Sequence, residues 1–256
     1  MSPAADHVIF IHIPKAAGRT ISSIAVRQYA ADEVLQIKGG IGKAQVPGLD
    51  DRSAVRVVTG HVHYGVHRNL PGRSTYITML REPVDRVLSL YRYIVTSPDH
   101  PLHDQLADID PLAFASGSLD VEEIENGQTR QIAGVTQGSP DSNSLAVAKR
   151  NLAERFVAFG IVERFDESVI LFKRRLRWKM PYYIPKNVTE SMTTTESDPE
   201  AVEVIRTRNT LDAELYRFAS NLFGEQLRRE GPLFDVEVGA FRLLNSAARV
   251  YRRWRD

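Results

Sequence analysis

Lys15, Gly18 and Thr20 stand close together in Pro14-Lys15-Ala16-Ala17-Gly18-Arg19-Thr20, directly after the apolar run Val8-Ile9-Phe10-Ile11. A cation, small residues and a hydroxyl between a strand and a helix are the parts of an anion site. Backbone N–H groups at a helix N-terminus point at a phosphate, and the helix dipole adds to the attraction. The loop is not the Gly-x-x-x-x-Gly-Lys-Ser/Thr of nucleotide hydrolases, because its lysine precedes the glycine. That order points to a different phosphate chemistry.

A second group lies in residues 76–94, YITMLREPVDRVLSLYRYI. An apolar run ends at Leu80 and delivers Arg81 at its carboxyl end, where open α/β sheets bind ligands. Ser89 follows two helical turns on. Facing one cleft, the Arg81 guanidinium and the Ser89 hydroxyl could clamp a second phosphate; alone, Arg81 would read as a salt bridge to Glu82 or Asp85. A third group, TGHVHYGVH over residues 59–67, carries His61, His63 and His67. Zinc fits poorly, since His-x-His-x-x-x-His is an uncommon spacing with no carboxylate nearby. A general base fits better, because an ordinary imidazole titrates near pH 6.5. The plain alternative is a histidine satisfied by a strand-end carbonyl.

These groups need a frame. Short runs rich in Val, Ile and Phe predict strands over residues 8–11, 56–59, 76–80 and 157–161, with a fifth at 33–37. Helical periodicity predicts helices over 21–30, 84–95, 121–132, 143–154, 165–176, 201–209 and 211–229. The alternation argues for an α/β fold in a single domain, 1–256, with a central parallel sheet flanked by helices. Residues 134–144 read as a loop and 189–199 as a surface segment.

Composition narrows the class. The 256 residues are 43% apolar and 25% charged, ordinary for a globular protein. A net charge of +1 gives no basic field for nucleic acid. Without cysteine there is no disulfide, thiolate chemistry or cysteine metal site. The N-terminal residues lack the pattern of a signal peptide, and no run approaches the length of a membrane span. The expected location is cytoplasmic, at most peripheral at the inner membrane face.

All three groups sit at predicted strand ends, in one order, and that set resembles the carbohydrate sulfotransferase family that includes heparan sulfate 2-O-sulfotransferase and its bacterial relatives. The likeness spans about residues 8–225 and extends to Asn126-Gly127-Gln128-Thr129-Arg130, residues 159–168 and Asn187-Val188-Thr189. Departures are Arg19, where a small hydroxyl residue is more usual, and Glu82, in place of a common Asp. The resemblance implies a P-loop-like sulfotransferase fold and a sulfuryl donor, 3′-phosphoadenosine 5′-phosphosulfate (PAPS), used without a metal. It implies that Lys15, Ala16, Ala17, Gly18, Arg19 and Thr20 hold the 5′-phosphosulfate, and that Arg81 and Ser89 hold the 3′-phosphate. His61, or else His63, would be the base toward a hydroxyl of a glycan, glycolipid or metabolite, and His63 and Arg130 could meet that acceptor. The rival readings are a P-loop kinase-like phosphotransferase and a catalytically silent nucleotide- or glycan-binding module.

Two basic stretches remain. Residues 173–179, KRRLRWK, read as a solvated helix end or a contact for an anionic glycan. The C-terminal stretch, about 232–256, reads as a basic amphipathic helix. Its apolar positions Phe241, Leu244, Ala248 and Tyr251, with Trp254, would pack on the protein's own core or lie on a membrane or partner.

Overall fold

The computed structural model describes residues 6–37, 54–106, 108–119, 121–183 and 198–253, with side chains described as far as residue 247. Five parallel strands form one sheet: β1 (His7–Ile11), β2 (Val34–Ile37), β3 (Val57–Gly60), β4 (Ser74–Leu80) and β5 (Phe156–Ile161). The spatial order is β2-β3-β1-β4-β5. Both faces of the inner strands are covered, so they carry continuous apolar runs rather than alternation. Ile9, Phe10, Ile11, Val57, Val58, Ile77 and Leu80 are fully buried. Each such side chain contributes about 1.5–3 kcal/mol relative to exposure.

The helices are α1 (Gly18–Val26), α2 (Pro83–Val95), α3 (Pro111–Ser116), α4 (Gly127–Ala133), α5 (Ser142–Glu154), α6 (Phe165–Leu176), α7 (Pro199–Arg208), α8 (Thr210–Arg229) and α9 (Leu233–Arg253). Val84, Val87 and Ile94 of α2 pack with Phe114 of α3 and Val202 and Ile205 of α7 into an apolar cluster beside the sheet core. Pro83 occupies the first turn of α2, where its missing N–H costs nothing.

The predicted strands are all present, and the alternating pattern gives the expected parallel sheet. Two helical expectations shift and one helix is new. α1 begins at Gly18 rather than residue 21 and ends at Val26. Residues 121–132 are not one helix: a short 3₁₀ turn (Glu122–Ile124) precedes Asn126, which adopts φ 48°, and α4 starts at Gly127. α3 was not predicted; its six residues are too few to show a helical period.

The two basic stretches also resolve. Lys173 and Arg174 bond Glu237 at 2.6 and 2.7 Å, and Arg174 and Arg175 reach Glu230 at 3.1 and 2.6 Å. Lys173, Arg174 and Arg175 therefore tie α6 to Glu230 after α8 and to Glu237 of α9, while Arg177 and Lys179 at the end of the run are exposed. α9 buries Phe234, Val238 and Phe241, spaced four and three apart, with Asn245 accepting from the Tyr183 N–H at 2.9 Å. Leu244 falls off that face and is half exposed. The side chains of Ala248 and Tyr251, together with Trp254 and Asn187-Val188-Thr189, lie outside the described residues. Among those described, no helix is long and apolar enough to cross a membrane.

β1 is the pivot of the sheet. After it the chain builds β2 and β3 on one side, then returns to place β4 on the other. Ile11 pairs with Gly60 of β3 and with Thr78 of β4. The carboxyl ends of β1, β3 and β4 thus meet at a topological switch point, the place where open α/β sheets bind ligands.

Candidate active site

The loop after β1 carries two non-glycine residues in the left-handed region, Lys15 at φ 65° and Ala17 at φ 57°. Such residues cost about 1–3 kcal/mol each and persist where the surroundings fix them. Here Ala16 is buried and its N–H bonds the Ile13 carbonyl at 3.2 Å, which pins the turn. Ala17 is the N-cap of α1, and no side chain caps that end. The first N–H groups of a helix have no intrahelical acceptor. A left-handed residue feeding a helix turns them into a concave anion cradle. Thr20 lies in the first turn and is buried. Gly18 is required by contact: a Cβ there would lie 1.7 Å from Cδ2 of His12.

Cations surround this cradle. Lys15 Nζ lies 4.1 Å from the centroid of the Tyr93 ring, a cation–π contact from α2. Burial, then the charges of Arg81 and Arg19, push the Lys15 ammonium down to about 8. The loop therefore gathers like charges. Arg81 is fixed at both ends. Its N–H donates to Gln128 Oε1 at 3.0 Å, its carbonyl accepts from Gln128 Nε2 at 2.9 Å, and its Nη1 donates to the Lys15 carbonyl at 3.2 Å. The guanidinium is thus turned toward the β1 loop and makes no ion pair with Glu82 or Asp85 among the described residues. Glu82 instead caps α2, accepting from the Asp85 N–H at 2.8 Å. Ser89 is half-buried on α2, one turn before Tyr93 and so on the same helix face.

The histidines separate by environment. His61 stacks on His12, with ring centroids 4.4 Å apart and planes at 24°, and Phe10 also stacks on His12 at 5.9 Å. Burial lowers the His61 pKa, partly offset by a hydrogen bond to the backbone of His12. His12 is pushed down to about 3 by burial first, then by His61, Arg19 and Lys15. His63 is buried, pushed down to about 4 by burial and the charge of Arg130, and its Nε2 has no partner among the described residues. His67 turns away to bond the Tyr76 hydroxyl at 2.7 Å. The three histidines of that loop therefore do not converge on one point. Burial favours the neutral imidazole of His61, which is still partly accessible just past the end of β3.

α4 lies across these strand ends and is locked by α8. Asp212 accepts from the N–H groups of Gln128 and Thr129 at 3.1 and 2.7 Å and from the Thr129 hydroxyl at 2.8 Å. It also faces the fully buried Arg86 at 3.5 Å. Asn126 accepts from the N–H groups of Leu211 and Asp212 at 3.0 and 3.1 Å. Each helix caps the start of the other, which explains the left-handed Asn126. Gln131 reaches the carbonyls of Val62 and His12 at 3.4 and 3.5 Å. Gln128 thus holds Arg81, and Gln131 holds both histidine-bearing loops.

Sequence reasoning missed His12, Tyr93, Gln128 and Gln131 as parts of the site. The signal for His12 was its position, one residue past the strand. Tyr93 lay on the helix face of Ser89. Nothing local marked the two glutamines, whose partners lie 47 to 119 residues away.

A model of the galactose-3-O-sulfotransferase family matches residues 2–253. The pig galactose-3-O-sulfotransferase 2 is 22% identical over 99% of this chain and 68% of its own length. The mouse galactose-3-O-sulfotransferase 3 is 29% identical over 73% of this chain and 46% of its own length. The human uronyl 2-sulfotransferase is 24% identical over 78% of this chain and 53% of its own. The chain spans between about half and two thirds of the length of these relatives.

Proposed function

From the premise that this chain belongs to the galactose-3-O-sulfotransferase family, we propose that it transfers a sulfuryl group from PAPS to a carbohydrate hydroxyl, with His61 as the general base. The observation that carries this reading is the meeting of three strand ends. Near them lie an uncapped helix N-terminus, a lysine depressed by two arginine charges and a partly accessible histidine whose burial favours the neutral form. The donor supplies an activated sulfuryl group on a phosphate leaving group. Its two phosphate positions need two anion sites, and two groups of residues are suited to them.

The first is the cradle of Ala16, Ala17, Gly18, Arg19 and Thr20, suited to the 5′-phosphosulfate. The second is Arg81 with Ser89, suited to the 3′-phosphate, which separates PAPS from nucleotides lacking that group. Sulfuryl transfer resembles phosphoryl transfer: the nucleophile and leaving oxygen stand in line, and the protein positions groups and neutralises charge. His61 accepts the proton of the acceptor hydroxyl as its oxygen bonds to sulfur. Lys15 stabilises the negative charge gathering on the bridging oxygen as the sulfur–oxygen bond breaks, leaving 3′,5′-adenosine diphosphate. Lys15 and the Arg side chains supply the positive charge at this site.

The test is transfer of radiolabelled sulfate from PAPS to a panel of glycans, glycolipids and metabolites, beside calorimetry with 3′,5′-adenosine diphosphate. Labelled product on a sugar hydroxyl and a large loss of nucleotide affinity in Arg81→Ala are expected. Nucleotide binding without transfer to any acceptor would instead make the chain a silent binding module. Unchanged affinity in Arg81→Ala would remove the 3′-phosphate assignment.

A further inference from the structure

α9 carries two apolar rows. One, Phe234, Val238 and Phe241, faces the core. The other, Leu233, Val236, Ala240, Leu243 and Ala247, is exposed at every position. Leu233, Val236 and Leu243 are 74%, 67% and 75% exposed, and Leu244 beside them 50%. These are four of the six exposed large apolar side chains among the described residues, gathered on one helix. A single exposed leucine is ordinary, but a contiguous apolar row marks an interaction surface.

The exposed row is spaced three, four, three and four residues apart, the repeat with which one helix lays a seam against another. At 3.6 residues per turn it lies opposite the buried row. Gly239 borders it, and a Cβ there would meet nothing within 4 Å. Glycine inside a helix costs about 0.5–1 kcal/mol relative to alanine. No contact within the described residues accounts for it, whereas close approach of a second helix does.

We propose that this face of α9 is a dimerisation surface, holding α9 of a second copy of the chain in antiparallel register. Charge sets the direction. Along α9, Asp235 and Glu237 come first and Arg242, Arg249, Arg252 and Arg253 follow. Antiparallel pairing lays the acidic end of each helix beside the basic end of the other, and parallel pairing lays like ends together. Size sets the register. About a two-fold axis, Ala240 of one copy faces Leu243 of the other, Val236 faces Ala247, and each contact occurs twice. Large then meets small along the seam, whereas parallel pairing would set alanine on alanine. A lipid surface fits this face less well. Helices that lie on membranes present free lysines and arginines beside their apolar side. Arg242, the only arginine of α9 whose side chain is described, bonds Asp166 and Glu167 at 3.1 and 3.4 Å.

The chain has no cysteine, so introduced thiols report only on each other. Sedimentation equilibrium of the full chain at about 100 μM is expected to give twice the single-chain mass. Leu243→Glu, at a position already exposed, is expected to give the single-chain mass with native circular dichroism. Should it lose its fold, Val236→Glu carries the comparison. Val236→Cys and Ala247→Cys are then oxidised, alone and mixed. A covalent dimer is expected only in the mixture, because like positions of antiparallel helices lie about 16 Å apart along the axis, too far for a disulfide. A wild type of single-chain mass, or a dimer that the glutamate variant leaves intact, overturns the proposal. Covalent dimers of each cysteine variant alone, with none gained on mixing, overturn the antiparallel register. A single-chain protein that floats with vesicles of phosphatidylcholine and phosphatidylserine, and no longer does so as Leu243→Glu, gives the face to a lipid surface instead.

Discussion

His61 and His63 are two residues apart, yet their surroundings differ. Both are held neutral by burial, but His63 is nearly inaccessible and sits against the charge of Arg130. His61 is only partly covered and has its ring plane set by the stack on His12. His61→Ala is expected to lower kcat by at least about 10²-fold, the usual scale of a general base. Calorimetry should show its nucleotide affinity intact, and His63→Ala should lose less. Near-normal turnover in His61→Ala would transfer the role to His63. Lys15 gives a second test, through pH. A base must be neutral and the leaving-group cation charged. The acid limb of kcat/KM for PAPS should therefore lie below the ordinary histidine value of about 6.5, and the alkaline limb should fall as pH rises through about 8. A profile flat from pH 7 to 10 would contradict a catalytic ammonium at Lys15.

At the scale of elements, the joint between α4 and α8 decides whether the site is assembled. Asp212 caps α4 and is the carboxylate beside the fully buried Arg86. Removing one partner of a buried pair strands the other charge, at a cost of about 3–5 kcal/mol. Asp212→Ala should lose stability on that scale in urea unfolding, and Asp212→Asn should lose less because it retains a cap acceptor. A loss under about 1 kcal/mol would show that Arg86 finds another partner. This joint is also where the sequence misled. Residues 121–132 show helical periodicity, but the left-handed Asn126 bonds groups 82 to 86 residues away, and a periodicity read within a short window carries no trace of them.

Over the whole molecule, His12, His61 and His63 share one consequence. All three have native pKa values below the unfolded value of about 6.5. Below that pH the unfolded chain takes up protons that the native state refuses, so stability present at pH 7.5 falls as pH drops toward 5. Most carboxylates titrate lower, so urea midpoints at pH 7.5, 6 and 5 isolate the histidines; equal midpoints would mean that these rings charge freely in the native state. The sequence by itself determined the sheet, because buried parallel strands must be apolar runs and their crossovers must be helices. It also determined the β1 loop and the strand-end residues Lys15, His61 and Arg81, since those positions follow from where each apolar run stops. Only the tertiary structure decided that His61 stacks on His12, that Arg81 turns to Lys15 rather than to Glu82, and that the basic run of α6 meets Glu230 and Glu237. Each of these depends on partners distant in the chain, and burial and pairing across such distances set charge and orientation in ways that no local pattern encodes.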